Sequence, residues 1–539
     1  VDGAQLVSAV QLPDGQAIFA GPVGNLSLVA ESKSGLSPGT PAPGTQGGVF
    51  ADFRYKASIA PLGQILLFPR LTGGNVTSVI NDEAYYLHTP AGFELIAREG
   101  DPSPLGPAYR SFESSAAARM DSSGRALFRA RVFAFTGPAN LKPTEDEAWF
   151  LRAPGGVPQV LIQEGTASPY PGYLIGSASG DWSEVVAGAA LNSQGELLLS
   201  TDLYNPVSGD ESDALIVASL NGTRGVVQSG VPFPAITGAN FSSLRPLALN
   251  NAGQALFTAR LSGLPSGLNT GLFLADPAGS IQMLVREGDL APGTGGGLFD
   301  DLQSESPIVS FNNSGLVLFR TRVAGGASPG RALYLYQPSL GLQPIALSGE
   351  VFPQMPAGVA PFSEPHLVSF GTGSGRGWAL NESGTVAFGG TFGSIGSGSS
   401  ATFRLPAGTL FVNPAGLSSS AGGTAQIRTH LGSNNAGRTY LTLASQSGSA
   451  PGLPLGLVTL PLNPDSLTNA ALLGVNSPPW GQTLGILNDA GQATATLTLP
   501  AGLTALTGLQ ITFATLAIEA SGIPFVAAAS TPAQLSLLP

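Results

Sequence analysis

The sequence predicts an all-β chain in two parts, a β-propeller over residues 1–406 and an immunoglobulin-like β-sandwich over residues 407–539. Three observations predict it. A turn motif returns six times between apolar, strand-like runs, a second hairpin follows most copies, and the texture changes after Pro406. A repeat of this kind constrains the architecture before any single residue is weighed.

The six turns are Ala60-Pro61-Leu62-Gly63, Asp121-Ser122-Ser123-Gly124, Asn192-Ser193-Gln194-Gly195, Asn250-Asn251-Ala252-Gly253, Asn312-Asn313-Ser314-Gly315 and Asn381-Glu382-Ser383-Gly384. Their glycines stand 58–71 residues apart, and each is followed by a phased apolar run such as residues 254–261 or 316–323. An Asn-x-x-Gly step suits a hairpin that closes on a type I turn and a left-handed glycine. Asn or Asp at the first position can accept a bond from the backbone two residues on.

The second hairpin is a short strand, a Pro/Ala-Gly turn and a strand ending in an acidic-Gly step, as in residues 271–279 followed by 283–289. Each unit then holds about four strands, the content of one propeller blade. Residues 16–22 and 26–31 read as a second hairpin with no full first hairpin before them. The unit around Gly384 has a clear first hairpin and only a blurred second one at residues 401–405. Ring closure, with the N-terminal strands completing the last blade, gives six blades; seven is the competing count.

Beyond Pro406 the only formal charges are Arg428, Arg438, Asp465, Asp489 and Glu519. Short alternating runs such as residues 440–444, 494–499 and 509–514 are separated by Gly/Pro/Ser/Asn turns, which is a sandwich pattern. A helical turn is expected only near residues 465–473.

Composition narrows the function. Of the residues, 43% are hydrophobic and 11% charged, with 73 Gly, 44 Pro and three lysines, Lys33, Lys56 and Lys142. Glycine and proline are spaced between apolar runs, which reads as many tight turns and not disorder. A net charge of −11 without a basic cluster argues against nucleic acid. The absence of cysteine removes disulfides, thiolate nucleophiles and Cys-based metal sites. Residues 503–529 are the most apolar tract, but their polar and β-branched content reads as strands, so no transmembrane segment is expected. Val1 in the place of Met reads as a chain whose signal peptide has been removed, which predicts export to the cell surface or beyond.

The repeats resemble the tandem Asn-x-x-Gly-x-Val-Ala-Phe repeats of bacterial secreted proteins, with Leu380-Asn381-Glu382-Ser383-Gly384-Thr385-Val386-Ala387-Phe388 as the nearest copy. The C-terminal part resembles a β-sandwich module at the ends of planctomycete-type exported proteins. Ser420-Ala421-Gly422-Gly423-Thr424, Ala436-Gly437-Arg438-Thr439-Tyr440-Leu441 and Pro461-Leu462-Asn463-Pro464-Asp465 carry that likeness. The resemblance implies export and an extracellular architectural role, and it brings no catalytic residue.

The residues themselves assemble no chemistry. His88, His366 and His430 sit on different repeats or domains and read as strand or loop histidines. Glu99-Gly100-Asp101, Glu287-Gly288-Asp289, Asp300-Asp301 and Glu145-Asp146-Glu147 could supply oxygens to Ca²⁺, the one cofactor weighed. One or two carboxylates per turn fall short of the six to eight oxygens calcium takes, so turn and loop roles are expected. The recurring aromatics Phe68, Phe128, Phe257, Phe319 and Phe388 read as packing between blades in preference to a sugar platform. Acceptor sequences for N-glycosylation occur at Asn25, Asn75, Asn221, Asn240, Asn312 and Asn381, the last two inside the turn motif.

These observations predict a secreted, non-enzymatic structural or adhesive surface protein that self-associates, as the subunit of a homopolymeric fibre or as a matrix component. The charge-poor segment 407–539 is expected to be the assembly or attachment module, with residues 1–8 or 534–539 reaching a neighbour. The alternative is a propeller that binds a glycan or peptide through residues 103–118, 165–186 and 352–378, with Trp182 and Trp378 as contact residues. A propeller hydrolase is the third reading; its acids would have to converge from several blades.

Overall fold

In a computed structural model the chain is described from residue 5 to residue 539, apart from 13–14, 23–24, 35–36, 54–57, 60–62, 113–118, 133–146, 177–189, 293, 295, 303–308, 327–328, 339–340, 349–361, 367–379, 381–385, 393–398, 406–408, 414–415, 432–434, 457, 489–490, 520–524 and 531. The described elements are strands, apart from the helix Ser466–Leu473 and short helical turns. The protein is all-β. It divides into two compact units, one made of Val1–Asp289, Asp301–Asn313 and Ser369–Gly377, the other of Leu290–Asp300, Ser314–Val368 and Trp378–Pro539. This division runs through the repeats.

In the first unit each repeat is an antiparallel meander. The Asn250 repeat shows it whole: Asn240–Leu249, Ala255–Ser262, Thr270–Ala275 and Ile281–Arg286 pair in chain order. The Asp121 and Asn192 repeats follow the same order and end on Pro158–Gln163 and Gly222–Gln228. In the repeat before them Ser58–Ile59, Ile65–Leu67, Ala84–Thr89 and Gly92–Arg98 pair in order. Register shifts by one residue at the same place in every third-to-fourth-strand hairpin, for example at Tyr85/Tyr86, Trp149/Phe150, Leu215/Ile216 and Leu272/Phe273. One extra residue there bends the outer strand and increases its twist.

The N-terminal hairpin of Gly15–Pro22 and Ser27–Glu31 carries that shift too, at Ile18/Phe19, in keeping with its sequence reading as a second hairpin. Gln5–Leu12 pairs with Gly15–Pro22 on its other side. These three strands form a sheet of their own.

Successive sheets share apolar clusters. Ile18, Ala20 and Ala30 pack with Phe50, Ile65 and Tyr86; Tyr85 and Leu87 pack with Tyr109, Phe128 and Phe150. Trp149 and Leu151 join Leu199 and Ile216, and Leu215 and Val217 join Phe241, Phe257 and Phe273. Side chains alternate across a strand, so one face of each sheet meets the sheet before it and the other meets the sheet after. That is why the strands read as nearly continuous apolar runs.

In the second unit Leu298–Asp300, Val317–Ala324, Gly330–Gln337 and Gly341–Leu347 form one meander, and Phe362–His366, Val386–Phe392 and Ser399–Leu405 a three-stranded one. Towards the C-terminus, Thr409–Asn413, Gly423–His430, Gln492–Leu499 and Trp480–Gly481 form a four-stranded sheet. Gly416–Ser418, Ala533–Leu538, Gln510–Glu519, Thr439–Ser445 and Leu484–Ile486 form a second, with Phe525–Ala529 on its flank. Both sheets contribute to one core, in which Leu410, Ile427 and Leu497 meet Leu443, Phe513 and Leu535. The expected helical turn is the helix Ser466–Leu473, capped by Asp465. Residues 534–539, expected to reach a neighbour, are instead held: Ala533–Leu538 is paired on both sides, in parallel with Gly416–Ser418 and antiparallel with Gln510–Glu519.

Candidate functional site

The repeated turn is the place where recurring polar residues meet. Its local geometry follows the sequence. Gly124, Gly195 and Gly253 have φ of 79°, 82° and 75°, the region where a side chain is strained. The Asn192 Oδ1 accepts from the N–H groups of Gln194 at 3.0 Å and Glu196 at 2.9 Å, so the side chain closes its own turn. Asp121 Oδ1 does the same for Ser123 and Arg125, each at 2.9 Å.

The other half of the asparagine reaches the next repeat. Asn192 Nδ2 donates to the Asn250 carbonyl at 2.9 Å, and Asn250 Nδ2 to the Asn312 carbonyl at 3.2 Å. The second motif position adds a backbone link: Ser193 N–H donates to Asn251 Oδ1 at 2.9 Å, and Asn251 N–H to Asn313 Oδ1 at 2.7 Å. Asn192, Asn250 and Asn312 are only 2–3% exposed. The turns at Asn192, Asn250 and Asn312 thus form a directional ladder in which the first two each hand a donor to the next.

Asp121 has no amide to give, and Arg125 replaces it. Arg125 Nε holds Asp121 Oδ2 at 2.7 Å while its guanidinium donates to the Ser193 carbonyl of the following turn. A Cβ at Gly195 would stand 2.7 Å from that guanidinium and 3.1 Å from Leu151, so a side chain there would displace the guanidinium besides straining the backbone.

Carboxylates considered for calcium are used internally. Glu99 Oε2 accepts from Glu83 N–H at 3.2 Å, and Glu287 Oε1 from Leu302 N–H at 3.0 Å. Asp289 pairs with Arg286 at 3.1 Å. Burial pushes the Asp101 carboxyl up, and nearby Arg98 opposes it. Glu147 is fully buried between Arg129, which is 1% exposed, and Arg131, whose Nε lies 2.5 Å from Oε1. Glu145 and Asp146 lie outside the described residues. Among the described residues no group of three or more His, Asp or Glu is placed to hold a metal ion.

His88 is pulled below the ordinary histidine range by burial and sits 4.8 Å from the ring of Phe93. His430 is buried in the C-terminal sheets, and the His366 side chain lies outside the description. Phe68, Phe128, Phe257 and Phe319 are core, Phe128 stacking on Phe150 at 5.3 Å and Phe257 on Phe273 at 5.4 Å, and the Phe388 side chain lies outside the description. Trp182 and Trp378 lie outside the described residues, as do Asn381-Glu382-Ser383-Gly384 and most of residues 352–378. Of the glycosylation acceptors, Asn312 is enclosed in the ladder and Asn75 Oδ1 accepts from Arg98 at 3.2 Å, whereas Asn25 and Asn221 are exposed.

Sequence reasoning found the turn and missed the ladder. Its one signal was the coupled change at the Asp121 copy, where loss of the amide coincides with an arginine four residues on.

A model described as "Family of unknown function (DUF7453)" matches residues 4–399. The chain belongs to this family. The family's span takes in all six turn motifs, ends at the start of Ser399–Leu405 and stops short of the two C-terminal sheets. No curated protein matches. Among solved structures the chain is similar to a subtype N11 neuraminidase-like protein of A/flat-faced bat/Peru/033/2010 (H18N11). Identity is 12% and the TM-score 0.26, over 68% of this chain and 90% of that one. No helix among the described residues is long and apolar enough to cross a membrane.

Proposed function

We propose that the chain is a secreted, non-enzymatic structural or adhesive surface protein whose repeats are the blades of a β-propeller and whose last two sheets form an immunoglobulin-like sandwich. The supporting observation is the ladder: the polar side chains of the turns at Asn192, Asn250 and Asn312 are spent on closing their own turns and tying one repeat to the next. Five four-stranded meanders would be complete blades, flanked by two three-stranded terminal sheets that the sequence count merges into a sixth. Export would put such a body at the cell surface or in a matrix. A face this poor in charge can pack against another with little desolvation.

Imaging and fractionation of the native material test the reading. It predicts surface-associated assemblies that contain this chain; dispersed monomer in the cell interior at high concentration would sink it.

A further inference from the structure

One arginine of the repeats stands in a slot that its counterparts fill with small residues. Two places before the first position of each turn, the chain carries Ser58, Arg119, Ala190, Ala248, Ser310 and Ala379. The residue between slot and turn is apolar every time, as Ile59, Met120, Leu191, Leu249, Phe311 and Leu380, so the copies are in step. In the Asn250 repeat the slot is the penultimate residue of the first strand, Asn240–Leu249; in the Asp121 repeat it opens the short pair Arg119–Met120.

Register fixes where the side chain points. Arg119 pairs with Leu127, and Met120 with Ala126. Directly opposed residues of an antiparallel pair share a face, and neighbours along a strand do not. Met120 packs with Tyr85 and Phe128 in the cluster shared with the preceding repeat, whereas Leu127 packs with Leu197 and Leu199 of the Asn192 repeat. Arg119 therefore faces the Asn192 repeat. Arg129 and Arg131 follow Leu127 on that same face, and between them they already hold Glu147. Among the described residues none forms a hydrogen bond or an ion pair with Arg119. Burial pulls its guanidinium below the ordinary arginine range with no acid to oppose it, although the side chain stays partly exposed. Arg224 makes the contrast: burial pulls it the same way, but Glu196 and Asp276 push back and the Gly253 carbonyl accepts from it. An unpaired cation taken from water is costly, and the Ala or Ser of the five other repeats would avoid that cost. A cost kept in one copy of six marks a functional position.

We propose that Arg119 anchors an anion site between the Asp121 and Asn192 repeats, at their first-strand end, and that its ligand carries a carboxylate. An unpartnered guanidinium presents parallel N–H donors that match the two oxygens of a carboxylate. One cation balances one negative charge; a phosphate dianion brings a second one to a chain of net charge −11. The inference goes beyond the structural role proposed above and does not depend on it.

The repeats supply the control residue for the test. Full-length Arg119→Ala carries the alanine of the Asn192 and Asn250 repeats, and in sodium chloride it should unfold at the temperature of the native chain or above it. Sodium acetate, compared with chloride at equal ionic strength, should raise the native midpoint more than that of Arg119→Ala; the difference between the two proteins cancels the general effect of the salt. Arg119→Lys keeps the charge and loses the fork, so the acetate concentration that gives half the effect should rise about tenfold. By the same difference, sodium phosphate should act less than acetate. Three results would overturn the inference. Arg119→Ala less stable than the native chain in chloride would mean that Arg119 has a structural partner. An equal acetate response in the two proteins would mean that no carboxylate binds there. A phosphate response larger than the acetate one would mean a ligand of another class.

Discussion

The repeats and the two C-terminal sheets solve one problem, joining sheet to sheet, with different chemistry. Between repeats the links are amides and ion pairs: the Asn192–Asn250–Asn312 ladder, Arg125 on Ser193, and Arg152 on Glu94. Between the C-terminal sheets the link is hydroxyl to hydroxyl, with Thr429 Oγ1 2.7 Å from Thr515 Oγ1 and that atom 2.8 Å from Thr442 Oγ1. Hydroxyls are small, both donate and accept, and can be satisfied in a thin apolar core. Asparagine can fix its own turn with its oxygen and give its nitrogen away. The first device suits a unit that must be copied, the second one that occurs once.

The contrast predicts unequal sensitivity to substitution. Glu147→Gln should have the largest effect, because it leaves Arg129 charged inside a closed sheet interface. Breaking a buried pair costs about 3–5 kcal/mol. Urea unfolding of the full chain followed by tryptophan fluorescence should register it through buried Trp149, which lies across the strand from Arg129. Arg131→Ala, at a position 32% exposed, should cost clearly less. Equal losses would mean that Glu147 is held by the outer arginine.

Asn250→Ala comes next. It takes the acceptor of the Gln254 N–H at 2.9 Å and a donor from the Asn312 carbonyl, and two lost hydrogen bonds cost about 2 kcal/mol. Asn250→Asp keeps the acceptor and loses the donor, so it separates closing the turn from handing on to the next. If Asn250→Asp were as stable as the native chain, the ladder would contribute nothing. Arg125→Ala should cost about 1 kcal/mol, since the side chain is 20% exposed and water can partly replace it. Asp121→Asn combined with Arg125→Gln rebuilds the Asn250 pattern, where Asn250 Nδ2 meets Gln254 Oε1 at 2.8 Å. A double-mutant cycle should therefore show recovery in the pair that neither single change gives.

How much of this was legible depends on sequence distance. The turn, its left-handed glycine and the self-capping Asn or Asp are encoded within five residues and were readable as such. Phe128 and Phe257 could be placed between sheets because their period matches the strand. The ladder could not be read, since a bond from residue 192 to residue 250 needs two turns in register. Glu147 looked like part of an exposed acidic run beside Glu145 and Asp146; only its register opposite Arg131, sixteen residues back, takes it inside. The N-terminal hairpin was recognisable, but its partner was not. Gln5–Leu12 has no motif of its own, although it pairs with the strand that directly follows it.

The smallest expected effect belongs to the C-terminal sheets and depends on pH. Asp465 caps the helix Ser466–Leu473: its Oδ1 accepts from Thr468 N–H at 2.9 Å and its Oδ2 from the N–H groups of Gln446 and Ser447 and the Ser445 hydroxyl, each at 2.8 Å. Burial works to raise this carboxyl, but the bonds from Thr468, Ser445, Ser447 and Gln446 outweigh it and hold it well below the usual carboxylate range. A group depressed in the folded state adds stability that is fully present above its unfolded value, near 3.8, and is lost as pH falls towards the folded one. Asp465→Asn keeps one acceptor and cannot titrate. At neutral pH it should destabilise these sheets by about 1 kcal/mol, the usual scale for a weakened cap. Below pH 4 the two proteins should converge, as the native chain loses what the variant never had. Thermal melts from pH 7 down to pH 2.5, followed at buried Trp480, would show the gap closing; a gap constant across that range would mean that the cap acts by shape and not by charge.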